Sequence, residues 1–125
     1  MHPARFERLV HAAVERLPAE FARYLNNVQV LVRPFPSRED LEDGGIDPDS
    51  PEGGGGLYGL YIGIPLVERA DYHMVLPDRI VIYQEPLERD FRDEELEHEI
   101  QVTVVHELAH HFGIDDDRLH DLGLG

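Results

Sequence analysis

The sequence predicts one α+β domain, and three observations carry that prediction. Apolar residues recur at helical steps near the N-terminus, short runs rich in β-branched and aromatic residues follow, and a long helix with a charged start and a glycine stop lies near the C-terminus. With 125 residues, the chain 1–125 has the length of one ordinary domain with room for one core.

The elements follow in order. Residues 4–25 read as helix, because Phe6, Leu9, Val10, Ala13, Val14 and Leu17 fall on one stripe. Pro18 interrupts that stripe, which predicts a kink or two consecutive short helices, and Asn26-Asn27 closes the element. Residues 28–33 form the first predicted strand, stopped by Pro34. Residues 36–56 are acidic and contain three prolines and the glycine run 53–56. Few of them can pack, so a mobile loop is expected there, either a solvated insertion or a lid over a cleft. Residues 57–64 and 78–84 are the second and third predicted strands, with an irregular span at 66–77 between them. Asp90 is the expected cap of the last long helix, and Asp93, Glu94, Glu95 and Glu97 place negative charge where the helix dipole favours it. Leu96, Ile100, Val104 and Leu108 form one apolar line with Val105, Ala109 and Phe112 beside it, so this helix is expected to run through the core. Gly113 supplies a left-handed stop, and 115–122 suits one last short helix.

Composition narrows the chemistry. There is no cysteine, which excludes disulfides, thiolate metal sites and thiol nucleophiles, so any metal must be held by imidazole or carboxylate. The net charge is −15, from 26 acidic residues against 11 basic ones, every one of them Arg. That balance repels phosphate, so neither nucleic acid nor an anionic membrane is the expected partner. The first residues lack the apolar core of a signal peptide and no apolar run reaches membrane-spanning length, so a cytoplasmic location is expected.

The residues with chemistry in their spacing are His106-Glu107-Leu108-Ala109-His110. Two histidines four apart on a helix project from one face, one turn apart, and can share a tetrahedral Zn²⁺. Glu107 then lies beside the metal, where a carboxylate can take a proton from metal-bound water and pass it to a leaving amine. Gly113 turns the chain back, and Asp116, six residues after His110, is placed to be the third ligand. The run fits the metzincin-style pattern H-E-x-x-H-x-x-G-x-x-H/D with Asp in the last place. Asp115 and Asp117 read instead as caps of the last helix, His111 as off the ligand face, and His120 as either solvated or a second partner of the site.

These residues resemble the small bacterial zincin-like metallopeptidases, also called minimal metalloproteases. The likeness extends beyond the zinc motif to residues 57–69, to 76–83 with Pro86-Leu87, and through Arg118-Leu119, covering the chain from about Val28 onward. It implies a zincin-like fold, with a small mixed β-sheet packed against the N-terminal helices and a central active-site helix. It implies zinc on His106, His110 and Asp116, with Glu107 as general base of a peptide hydrolase. By the same likeness a substrate strand lies antiparallel to an edge strand, for which residues 57–62 and 80–83 are the two candidates. Arg69, Arg79 or a tyrosine hydroxyl is the expected aid to the oxyanion.

Two departures from larger metzincins bear on substrate size. No Met follows Asp116 to make a Met-turn, and the nine residues after it do not suffice for a C-terminal wall. An open groove for short peptides is therefore expected rather than cleavage of folded proteins. Two other readings stay open. One is a metal-dependent endoribonuclease with an H-x3-H-x5-H site, whose spacing His106, His110 and Asp116 share. Against it stand Glu107, the Asp in third place and the acidic charge. The other is a non-catalytic module that binds zinc or peptide, though three ligands leave a position open where a structural site closes it.

Overall fold

A computed structural model describes residues 1–49, 57–63 and 76–125. Pro3 opens helix α1 (Pro3–Glu15), where its missing N–H costs nothing, and the His2 side chain accepts from the Ala4 N–H at 3.1 Å. Phe6, Val10 and Ala13 form its buried stripe. Of the two outcomes expected at Pro18, the chain takes the second: a 3₁₀ turn at Ala19–Phe21 leads into the short helix α2 (Ala22–Leu25). Asn27, at φ 64°, then reverses direction into strand β1 (Val28–Arg33).

The expectation of a loop across 36–56 needs correction. Arg38–Asp43 is helix α3, closed by a capping box in which Ser37 Oγ accepts from the Asp40 N–H and Asp40 accepts from the Ser37 N–H. The acidic composition concealed a Ser-x-x-Asp start signal and the buried Leu41 behind it. The glycine run 53–56, and any lid built from it, lies outside the described residues.

Strand β2 (Gly59–Ile62) is shorter than the predicted 57–64, whose last residue also lies outside the described part, as does most of the span 66–77. Strand β3 (Asp78–Tyr83) ends one residue before the predicted limit. Helix α4 (Gln84–Asp90) was not anticipated: Pro86 in its first turn permits a helix start, but seven residues are too few for a periodic signal. Asp90 therefore ends α4 rather than capping the next helix. Helix α5 (Asp93–Phe112) begins after Arg92, whose N–H donates to Glu95 Oε1 at 3.0 Å, and stops at Gly113 with φ 71° and ψ 37°. Helix α6 (Asp116–Asp121) follows at once.

Among the described residues the sheet is three-stranded and mixed, in the order β1-β3-β2. Strand β1 pairs with β3 in parallel, from Val28↔Asp78 to Arg33↔Tyr83, and β2 pairs with β3 antiparallel, from Gly59↔Ile82 to Ile62↔Arg79. The central strand is buried on both faces. Ile80 and Ile82 meet Phe6 and Val10 of α1 and Leu96 and Ile100 of α5, while Val81 and Tyr83 meet Leu41, Leu57 and Leu60. Behind α5, Val105 and Ala109 pack with Phe21, Leu119 and Leu124. As expected, α5 runs through the core, and its last turns carry the histidines to the rim of the sheet. Phe112 departs from the expected apolar set: it is 44% exposed, in an aromatic group with Tyr24, Tyr61 and His111.

Candidate metal centre

His106 and His110 occupy one exposed face of α5, a turn apart, while Leu108 and Ala109 on the opposite face anchor that turn in the core. Glu107 points the other way along the helix surface, toward β2, and only 18% of its side chain is exposed. Its Oε1 accepts from the Tyr61 backbone N–H at 3.0 Å, and its Oε2 lies 3.8 Å from His110 Nδ1. Burial raises the Glu107 carboxyl above its ordinary range, and the Tyr61 N–H and the two flanking imidazoles pull it partly back.

Gly113 swings the chain so that α6 returns beside α5. Asp116, the first residue of α6, lines one hollow of about 420 Å³ together with His106, His110 and His120. The predicted set of His106, His110 and Asp116 thus borders a common space. Among the described residues, however, no three His, Asp or Glu side chains stand close enough to share an ion. The donor chemistry suits zinc: two imidazoles and one carboxylate, all exposed.

The neighbouring residues divide as follows. Asp115 caps α6, its Oδ1 accepting from the Asp117 N–H at 2.8 Å. Asp117 is therefore capped rather than capping, contrary to the expectation for it, and it lines the same hollow as Asp116. His111 is exposed and stacks on the Tyr61 ring, with centroids 4.0 Å apart and planes 16° apart.

Tyr61 is the site residue that motif reading missed. It donates its N–H to Glu107, gives its hydroxyl to Asp78 at 2.6 Å and carries the His111 imidazole on its ring. No side-chain pattern could have revealed the first contact, since any residue supplies a backbone N–H. Register explains it. The Tyr83 N–H donates to the Tyr58 carbonyl, so the hydrogen-bonded pairs are Tyr58/Tyr83 and Leu60/Val81. Gly59 and Tyr61 then turn their N–H and C=O groups outward, toward α5. Gly59 makes that approach possible, because a Cβ there would lie 2.7 Å from Thr103 Cγ2.

Of the two candidate edge strands, 80–83 is excluded because β3 is central, and among the described residues β2 is the edge beside the motif. Of the expected oxyanion aids, the Tyr58 and Tyr61 hydroxyls are given to Asp90 and Asp78, Arg79 lies on central β3, and Arg69 lies outside the described residues. Two adjoining hollows flank the Glu107 carboxylate along β2, one of about 520 Å³ toward α3 and one of about 330 Å³ toward the middle of α5.

A sequence model of the family described as zincin-like metallopeptidase matches residues 25–125, which leaves out α1, the 3₁₀ turn and all but the last residue of α2. No curated protein matches the chain.

Proposed function

The chain belongs to the zincin-like metallopeptidase family, and from that premise we propose that it is a zinc-dependent hydrolase of short or unfolded peptides. The observation that carries this reading is the position of Glu107: a largely buried carboxylate on the outward N–H of an edge strand, between two exposed histidines one turn apart. His106, His110 and Asp116, which border one hollow, would hold the metal. When bound, zinc polarises the scissile carbonyl and acidifies water.

The remaining work belongs to the chain. An extended peptide adds to β2 through the outward groups of Gly59 and Tyr61, main chain to main chain. A peptide carbonyl that pairs with the Tyr61 N–H takes the place of Glu107 Oε1, so docking releases that carboxylate from its hydrogen bond. Glu107 then accepts a proton from the attacking water and delivers it to the departing amine, a role its raised carboxyl range suits.

The test combines metal analysis with an unbiased peptide library, run beside an RNA substrate. The expected result is one equivalent of zinc per chain and peptide cleavage that falls by at least about 100-fold in Glu107→Gln while the zinc stays bound. A chain that takes up no zinc when it is supplied, or that cuts RNA and no peptide, overturns the reading.

A further inference from the structure

The two hollows beside Glu107 share a pattern in their walls. The larger has an apolar floor at Ile46 and Leu57 and a carboxylate, Asp43, on its rim. The smaller is bounded by Val102 and Thr103 and carries the half-buried Glu99. Among the described residues no arginine lines either hollow, nor the one that holds His106, His110 and Asp116.

Five of the chain's eleven arginines are paired away from these hollows. Arg38 pairs with Asp49, Arg89 with Asp90, Arg92 with Glu95, Arg16 with Glu97, and Arg118 with Glu20. Among the described residues Asp43 and Glu99 have no cationic or hydrogen-bonding partner for their side chains. A divalent ion at the metal centre does not neutralise them either: its charge is matched by Asp116 and Glu107, leaving Asp43, Glu99 and Asp117 in excess.

Building on the peptidase reading above, we propose that the cleft selects peptides carrying long cationic side chains. One such side chain lays its methylenes on Ile46 and Leu57 with its head at Asp43, and the other lies against Val102 with its head at Glu99. An apolar stem with a charged tip is what such walls take: Lys and Arg bury the stem and keep the tip with a partner. An acidic or purely apolar side chain leaves one or both carboxylates desolvated and unmatched.

The test uses the full zinc-loaded chain and three peptides of one length, with Arg, Gln or Glu at the positions flanking the scissile bond. Cleavage is expected in the order Arg, Gln, Glu, with the Arg/Gln ratio of kcat/KM falling as salt is raised. Asp43→Asn is expected to lower that ratio by about 3-fold and Glu99→Gln by about 10-fold, the latter being the less exposed. Glu39→Gln, on the outer surface of α3, is expected to leave it unchanged. Binding of the same peptides to the Glu107→Gln protein, read by fluorescence anisotropy, separates the two levels of inference. If nothing is cut yet the Arg peptide binds several-fold tighter than the Gln peptide, selectivity stands and peptidase activity falls. If binding or cleavage is indifferent to peptide charge, or the cleft variants leave the ratio unmoved, the proposal is overturned.

Discussion

At neutral pH the fold holds the Glu107 carboxylate with less than a fifth of its surface in water, on one backbone N–H. A charge so placed weighs on the folded state, as groups kept for chemistry commonly do. Glu107→Gln keeps an acceptor for the Tyr61 N–H and removes the charge. The metal-free variant is therefore expected to be more stable than the parent by ~1 kcal/mol. A denaturant midpoint at pH 7 that does not rise would contradict this. Gly59 makes the complementary case. Adding a methyl group there forces it to 2.7 Å from Thr103 Cγ2 and 3.1 Å from the Val81 carbonyl, so Gly59→Ala is expected to lose about 1–3 kcal/mol. Thr103→Ser deletes that Cγ2 but keeps the hydroxyl bonded to the Glu99 carbonyl, and in the double variant it should restore part of the loss. Thermal melting of the three proteins decides the point. The motif residues were legible because their meaning lies in side-chain type and spacing. Tyr61 and Gly59 were not, since one acts through its main chain and the other through the absence of a side chain.

At the scale of elements, the hinge between α5 and α6 depends on a left-handed residue. Gly113→Ala is expected to cost about 1 kcal/mol and to weaken zinc binding, because it displaces Asp116 relative to His106 and His110. Competition with a chelator measures the effect, and unchanged affinity would show that α6 does not supply the third ligand. A second junction joins the start of β2 to the end of α4. The Tyr58 hydroxyl donates to Asp90 at 2.6 Å, and Arg89 binds the same carboxylate. Arg89 first and Tyr58 second hold the Asp90 carboxyl down to about 2, against an ordinary 3.8, while burial and Asp90 push the Tyr58 hydroxyl up to about 12. A carboxyl lowered in the folded state contributes stability above its unfolded value and loses it as pH falls through the folded one. The melting temperature is thus expected to drop between pH 4 and 2, with a shallower drop in Asp90→Asn across the same window. Parallel curves would remove Asp90 from the account. Helix α5 could be read from the sequence because its apolar line, acidic first turn and terminal glycine agree. Helices α3 and α4 could not, being six and seven residues long with too few apolar positions to mark a period.

Over the whole molecule, the mixed sheet and its helices agree with the expected zincin-like α+β fold, while the strand order was not legible from composition or periodicity. That order has a consequence in time. Among the described residues, strands β1 and β2 make no ladder with each other; each pairs only with β3, the last strand in the chain, and Val28 finds its partner at Asp78. A growing or refolding chain therefore holds two strands with nothing to join until the third arrives between them. Helices can form earlier from local contacts, but sheet closure must await a long-range encounter and sets the pace. Ile80→Val, in β3, is expected mainly to slow refolding, whereas Phe21→Leu, behind α5, should mainly hasten unfolding. Stopped-flow chevrons in which both variants alter the same arm would refute that order of events. The register set where β3 closes the sheet also aims the outward N–H of Tyr61 at Glu107, so the site is expected to assemble only as the sheet closes.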